Sequence, residues 1–155
     1  MGKVPKMNEK LVANVIRYKD YRKLLEQKDI DAVCIATPDH WHALQTINSF
    51  QADKHVYVEK PLTITIKEGR EMIKAQKKFG KICAVGLNRR GSPIYQKLAK
   101  EVQSGLIGKV TTARAQRTSN MYTNGIGILK PESPPKDFDW NMWLGPRAFK
   151  PYQYN

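Results

Sequence analysis

Three short apolar runs constrain this chain more than any other feature. They are Asp31-Ala-Val-Cys-Ile-Ala-Thr37, His55-Val-Tyr-Val-Glu59 and Ile82-Cys-Ala-Val-Gly-Leu87. Continuous apolar runs of this length between turn signals predict strands buried on both faces, as parallel sheets require. Cys34 and Cys83 fall inside two of them and read as small core residues. The first run stops at Thr37-Pro38, because proline has no amide donor and pushes the residue before it toward extended backbone. Asp39 is placed to cap a helix over 40–52, with Ala43, Leu44, Ile47 and Phe50 on one buried face. After the second run, Thr65-Ile-Lys-Glu68 has the form of a capping box. The helix it opens reaches Phe79, buries Ile66, Met72, Ile73 and Phe79, and stops at Gly80. Three strands joined by two helices make two consecutive crossover units. Such units are right-handed and give a parallel sheet with covered faces. The fold class that follows is α/β.

In open parallel sheets, ligands bind beyond the carboxyl ends of the strands. Here those ends are Thr37-Pro38-Asp39, Glu59-Lys60-Pro61 and Asn88-Arg89-Arg90. Lys60 is the first candidate for chemistry. Its ammonium can donate to a substrate oxygen, and partial desolvation would lower its pKa toward acid–base use. Pro61 restricts the Lys60 backbone and so helps to hold the side chain. His42 lies one turn into the next helix, near the same rim. Read alone, it is either a covering histidine or a cofactor or substrate contact. Arg90 could bind a carboxylate or support Glu59, or be a solvated arginine. His40 is expected to be exposed, and His55 to start its strand at the far end of the sheet.

Elsewhere the pattern is weaker. Leu11, Val12, Val15 and Ile16 suggest a short helix, and Asp20 can cap another over 21–27 with Leu24 and Leu25 inward. Ser92-Pro93 opens a helix lined by Tyr95, Leu98, Ala99 and Val102, which Gly105 ends. From Gly108, KVTTARAQRT reads as a half-exposed strand suited to an antiparallel sheet. Residues 119–137 read as a loop, and Trp140, Trp143 and Leu144 restore apolar bulk.

A formal charge of +13 raises nucleic acid as a partner. The lysines are scattered over helix faces, as at Lys67, Lys74, Lys77, Lys78 and Lys81, so a solvated basic surface is the expectation and nucleic-acid binding is not. The longest apolar run, Ala32 to Ala36, is far short of the ~20 residues of a membrane span. MGKVPKMNEK lacks the apolar core of a signal peptide. No metal-ligand spacing stands out. Asn124-Gly-Ile-Gly127 contains G-x-G, but Lys130 follows and no strand–turn–helix surrounds it, so it is rejected as a dinucleotide loop.

The combination of Ala36-Thr-Pro38, a histidine four positions after that proline, Glu59-Lys-Pro61 and a Val85-Gly86 followed by Arg90 resembles the Gfo/Idh/MocA oxidoreductase family. The resemblance covers about residues 18–118 and continues more loosely through DWNMWLGP, as in a MocA-like bacterial branch. It implies a partial NAD(P)-binding Rossmann domain over 1–88. An incomplete substrate and oligomerisation domain, built on a mostly antiparallel sheet, would follow over 89–155. It implies NAD or NADP as cofactor and a sugar or polyol-like alcohol as substrate. Thr37, Pro38 and His42 would lie along the cofactor. Glu59 and Lys60 would flank the nicotinamide, Lys60 would assist proton transfer, and Arg90 matches the arginine after the next strand. Such a family begins with a strand, G-x-G-x-x-G and a helix, and carries a D-x-x-x-H pattern in its second domain. Neither is found here, so the chain is expected to be a fragment, inactive alone, that forms a homo-oligomer or pairs with a complementary fragment. The alternative expectation is a non-catalytic remnant that binds a ligand or a partner chain.

Overall fold

The computed structural model describes residues 15–116 and 129–153. Its elements are α1 (Tyr21–Leu25), β1 (Ala32–Ile35), α2 (Asp39–Gln51), β2 (His55–Glu59), α3 (Ile66–Phe79), β3 (Cys83–Gly86), α4 (Asn88–Gly91), α5 (Pro93–Gln103) and α6 (Trp140–Leu144). The three strands form one parallel sheet in the order β1-β2-β3. The strand–helix–strand–helix–strand pattern expected from the apolar runs is the one observed. No helix among the described residues is long and apolar enough to cross a membrane.

Local chemistry explains most boundaries. Asp20 accepts from the Arg22 amide and caps α1. The capping box at Thr65 and Glu68 is complete in both directions, and Gly80 ends α3 in the left-handed conformation at φ 63°. Asp139 caps α6 through the Met142 amide. Asp39 does not cap α2: Pro38 holds that place, and Asp39 is the first helical residue. Its carboxylate then stands in the first turn, where the helix dipole favours negative charge. Pro93 opens α5 after Ser92, but the Ser92 side chain makes no capping bond, and the helix ends at Gln103, before Gly105.

The core lies on one side of the sheet. Ile35, Val56 and Val58 point inward with Val33, Cys83 and Val85 beside them, and Phe50 of α2 and Ala75 of α3 pack onto them. Full burial of Ile35, Val56, Val58 and Phe50 contributes about 1.5–3 kcal/mol each. The opposite side carries Ala32, Cys34, Tyr57 and Ala84, and all four are exposed. The expectation of strands buried on both faces therefore fails among the described residues. Successive crossovers of one hand put both helices on the same side. Cys34 is exposed and is not a core residue, whereas Cys83 is half-buried and packs against the core.

Other expectations about burial also need correcting. Ile66 and Ile73 are 85% and 45% exposed, whereas Met72 and Ala75 are buried. Ile66 and Ile73 are seven residues apart and share a stripe one position round from the true core face. Leu44 is exposed although Ala43 and Phe50 are buried. Tyr95, Leu98 and Val102 on α5 are exposed, because no described element packs over them. Val15 and Ile16 form no helix, and residues 109–116 form no strand. Leu11, Val12, the end of KVTTARAQRT and Asn124–Gly127 lie outside the described residues.

Candidate active-site rim

The register of β2 creates the site. Val58 pairs with Ile35 on one side and Val85 on the other, and Glu59 pairs with Gly86. The three strands therefore end side by side, and the residues just beyond them share one rim. Glu59 is half-buried and its carboxylate lies across Gly86. A Cβ added to Gly86 would sit 2.8 Å from Glu59 Cδ and Oε2 and 2.9 Å from Oε1. The glycine is what makes room for the carboxylate.

Lys60 follows directly, is exposed, and precedes Pro61 through a cis peptide bond. Neither the Lys60 ammonium nor the Glu59 carboxylate has a hydrogen-bond or ion-pair partner among the described residues. A donor and an acceptor thus stand next to one another at the end of the central strand.

Thr37 is exposed and Pro38 half-buried beyond β1. Thr37 Oγ1 donates to Gln45 Oε1 at 2.7 Å, which turns its hydroxyl toward α2. His42 is buried, with 1% of its surface exposed. Its Nδ1 lies 2.7 Å from the Pro61 carbonyl oxygen and its Nε2 2.8 Å from that of Thr37. Arg90 sits on α4, exposed, with its amide donating to the Leu87 carbonyl and its own carbonyl accepting from Gln96 Nε2. Its guanidinium makes no ion pair with Glu59 among the described residues. His55 begins β2 at the opposite end of the sheet, where its Nδ1 accepts from the Ile82 amide at 3.0 Å. His40 is half-buried rather than exposed, with Nε2 2.7 Å from the Trp143 carbonyl oxygen.

Sequence reasoning missed the neighbour of these histidines. Trp41 Nε1 donates to the Met142 and Trp143 carbonyls at 3.0 and 3.2 Å and seats the end of α6 on the first turn of α2. The Tyr21 and Trp41 rings meet edge to face, with centroids 5.6 Å apart. The signal available in sequence was a tryptophan between two histidines at a helix start, and its partner lies about a hundred positions away. Gly86 was visible only as part of the Val-Gly run. Away from the rim, burial pushes the Cys83 thiol pKa up, which keeps it protonated. No cluster of His, Cys, Asp and Glu suited to a metal ion occurs among the described residues.

The residues fit one half of a nicotinamide dinucleotide. A carboxylate and an ammonium at the end of the central strand suit the polar, reactive end of such a cofactor. The turns after β1 and β2 contain no glycine, so they offer no close-approach cradle for a pyrophosphate.

A parallel sheet with consecutive crossovers and a polar rim at its strand ends defines a Rossmann-like α/β protein. Residues 3–87 match the oxidoreductase family with an NAD-binding Rossmann fold, GFO_IDH_MocA. This chain belongs to that family. It is 34% identical over 130 residues to the uncharacterized oxidoreductase YrbE of Bacillus subtilis, covering 81% of this chain and 38% of that protein. It is 33% identical over 121 residues to myo-inositol 2-dehydrogenase of Thermotoga maritima, covering 78% of this chain and 33% of that protein. Among solved structures, apo scyllo-inositol dehydrogenase from Lactobacillus casei superposes with a TM-score of 0.60 at 27% identity, covering 66% of this chain and 31% of that one. The chain thus spans between a third and two fifths of the length of these two curated relatives.

Proposed function

We propose that this chain carries the nicotinamide-side rim of an NAD(P)-dependent oxidoreductase acting on a sugar or polyol-like alcohol. The observation that carries the reading is the Glu59-Lys60 pair at the end of the central strand, with the Glu59 carboxylate lodged over Gly86. The relatives named as inositol dehydrogenases support the substrate class.

In this reading Lys60 Nζ donates a hydrogen bond to the reacting oxygen of the substrate. When the substrate is an alcohol, the oxygen loses its proton as the carbon is oxidised, and Nζ in its amine form takes that proton. In the reverse direction the ammonium returns it. The nicotinamide, when bound, accepts or supplies the hydride. Glu59 and Arg90 hold polar groups of the cofactor on either side of Lys60, and Thr37 and Pro38 lie along it at the end of β1. The domain division near residue 88 belongs to the same proposal. So does inactivity of the isolated chain, because the described residues contribute one half of a cofactor site.

The test is thermal stability with millimolar NAD⁺, NADH, NADP⁺ and NADPH. A ligand that binds only the folded chain raises its stability by mass action. A rise with one of the four supports the reading, and no rise with any of them removes cofactor binding by this chain.

The bare side of the sheet supports a second reading. Ala32, Cys34, Tyr57 and Ala84 are exposed beside a β1 edge that has no strand partner among the described residues. An open edge next to an apolar face suits pairing with a complementary polypeptide or a second copy. Sedimentation as a monomer across concentrations would remove self-pairing.

A further inference from the structure

We propose that His42 is a positioning residue for Lys60, acting through the backbone and making no contact with cofactor. The inference rests on the reading of Lys60 as the proton-transfer group and says what holds it in place.

The argument begins with the two carbonyls. Thr37 and Pro61 lie just beyond the ends of β1 and β2, where the sheet ladder no longer supplies them with donors. Carbonyls at such places need partners from elsewhere. One imidazole lies against both, with Nδ1 2.7 Å from Pro61 O and Nε2 2.8 Å from Thr37 O. A ring nitrogen that bears hydrogen donates to the carbonyl it faces. A neutral imidazole carries one such hydrogen, so His42 donates to one strand exit and packs against the other, bridging the exit of β1 and the residue immediately after Lys60.

Burial decides between this role and a ligand contact. His42 is among the most enclosed large side chains in the described structure. Both of its nitrogens face backbone oxygen, so neither is presented to the rim. The ring is also anchored at its own base. The two residues before it, His40 and Trp41, bond to the end of α6, which fixes the first turn of α2 from outside. The His40-Trp41-His42 turn grips α6 outward and the two strand exits inward. Lys60 sits one residue from the inner grip.

Two substitutions separate donor from shape. His42→Leu keeps a side chain of similar bulk with no donor. His42→Gln keeps an N–H donor. Lysines of the full 155-residue chain are dimethylated with ¹³C-formaldehyde, and the Lys60 methyl resonance is assigned with Lys60→Arg. We expect the Lys60 resonance to shift and narrow in His42→Leu and to return toward its original position in His42→Gln. The resonances of Lys67 and Lys74 on α3 should not move. A Lys60 resonance unchanged in a folded His42→Leu chain overturns the proposal, and so does a His42→Gln chain that behaves like His42→Leu.

If His42→Leu does not fold, the unsubstituted chain gives the answer through its ring ¹⁵N–¹H spectrum. A His42 ring proton that exchanges slowly with solvent is expected. One exchanging as fast as that of a free imidazole overturns the proposal. NADH titrations run alongside, and His42→Leu should weaken binding about tenfold while His42→Gln recovers most of it. Absence of NADH binding by the unsubstituted chain counts against the proposed function and leaves the methyl and ring-proton readouts to decide on His42.

Discussion

The indole of Trp41 fills the space that a side chain on Gly145 would need. A Cβ built there would overlap the indole Cε2 and Cζ2 and come within 2.7 Å of Nε1. Gly145 also has φ 53°, a conformation that L side chains rarely adopt. The two constraints act on the same atom. Gly145→Ala must leave its backbone conformation or displace Trp41, and a strained positive φ alone costs about 1–3 kcal/mol. We expect Gly145→Ala to fold with a lower melting temperature and with red-shifted tryptophan emission as α6 lifts from Trp41. Unchanged emission and melting would show that the seat of α6 on α2 does not depend on this contact.

Gly86 makes the opposite prediction, because what it meets is the flexible end of a side chain. Its φ is not positive, so alanine fits the backbone, and replacing a strand glycine lowers the entropy lost on folding by about 0.5–1 kcal/mol. Against this, the Glu59 carboxylate must leave its present rotamer, at about 0.5–1.5 kcal/mol. The terms nearly cancel. Gly86→Ala should therefore melt close to the unsubstituted chain, yet lose affinity for NADH because Glu59 no longer lies across β3. A matched pair of thermal melts and NADH titrations checks this, and a large loss of stability with intact binding would reverse the assignment.

The contrast between these glycines explains what was legible in the sequence. The strands, their order and the helices between them follow from near neighbours: an apolar run, a proline, a capping box, a terminal glycine. The position of Glu59 and Lys60 on the rim follows from the same local rules. What the runs do not encode is which face of a strand is covered. Cys34 and Tyr57 sit in apolar runs and are exposed, while Val56 and Val58 are buried on the other side. Nor does proximity in sequence reveal that His42 reaches Pro61, or that Trp41 meets the end of α6. The local motif around His42 left a covering role and a ligand contact equally open, and only the two carbonyls lying against its ring favour the first.

Thr65 offers a test of the local rules themselves. Its side chain accepts from the Glu68 amide at 3.2 Å, while Glu68 Oε2 accepts from the amides of Ile64 and Thr65 at 2.9 Å each. Losing an N-cap side chain costs about 1 kcal/mol. Thr65→Ala should lower stability by about that amount, and Thr65→Ser should recover most of it. Urea unfolding with an unchanged slope is the measurement. An alanine variant as stable as the original would mean that packing of Met72 and Ala75 alone holds α3 in place.

Asp53 contributes to the acid side of the stability curve. It stands between α2 and β2 at φ 68°, a conformation that aspartate and asparagine tolerate better than most residues. The Lys81 ammonium bonds to its carboxylate and lowers its pKa from the ordinary aspartate value, first by that hydrogen bond and then by charge. Asp20 is lowered in the same direction by its hydrogen bonds to Arg22. A carboxylate whose folded-state pKa is depressed contributes stability that is complete above the unfolded value. That contribution is lost as pH falls through the folded value. With an unfolded aspartate near 3.9, the window opens below about pH 4 to 5. Asp53 is largely exposed, so the effect is small and fades in high salt. Asp53→Asn keeps the tolerance for positive φ and removes only the charge. The variant should be slightly less stable than the original at neutral pH, and the difference should vanish as the medium is acidified through the window. Lys81→Met should give the same convergence from the other partner. A gap that persists unchanged into strong acid would assign the role of Asp53 to its backbone conformation instead of its ion pair.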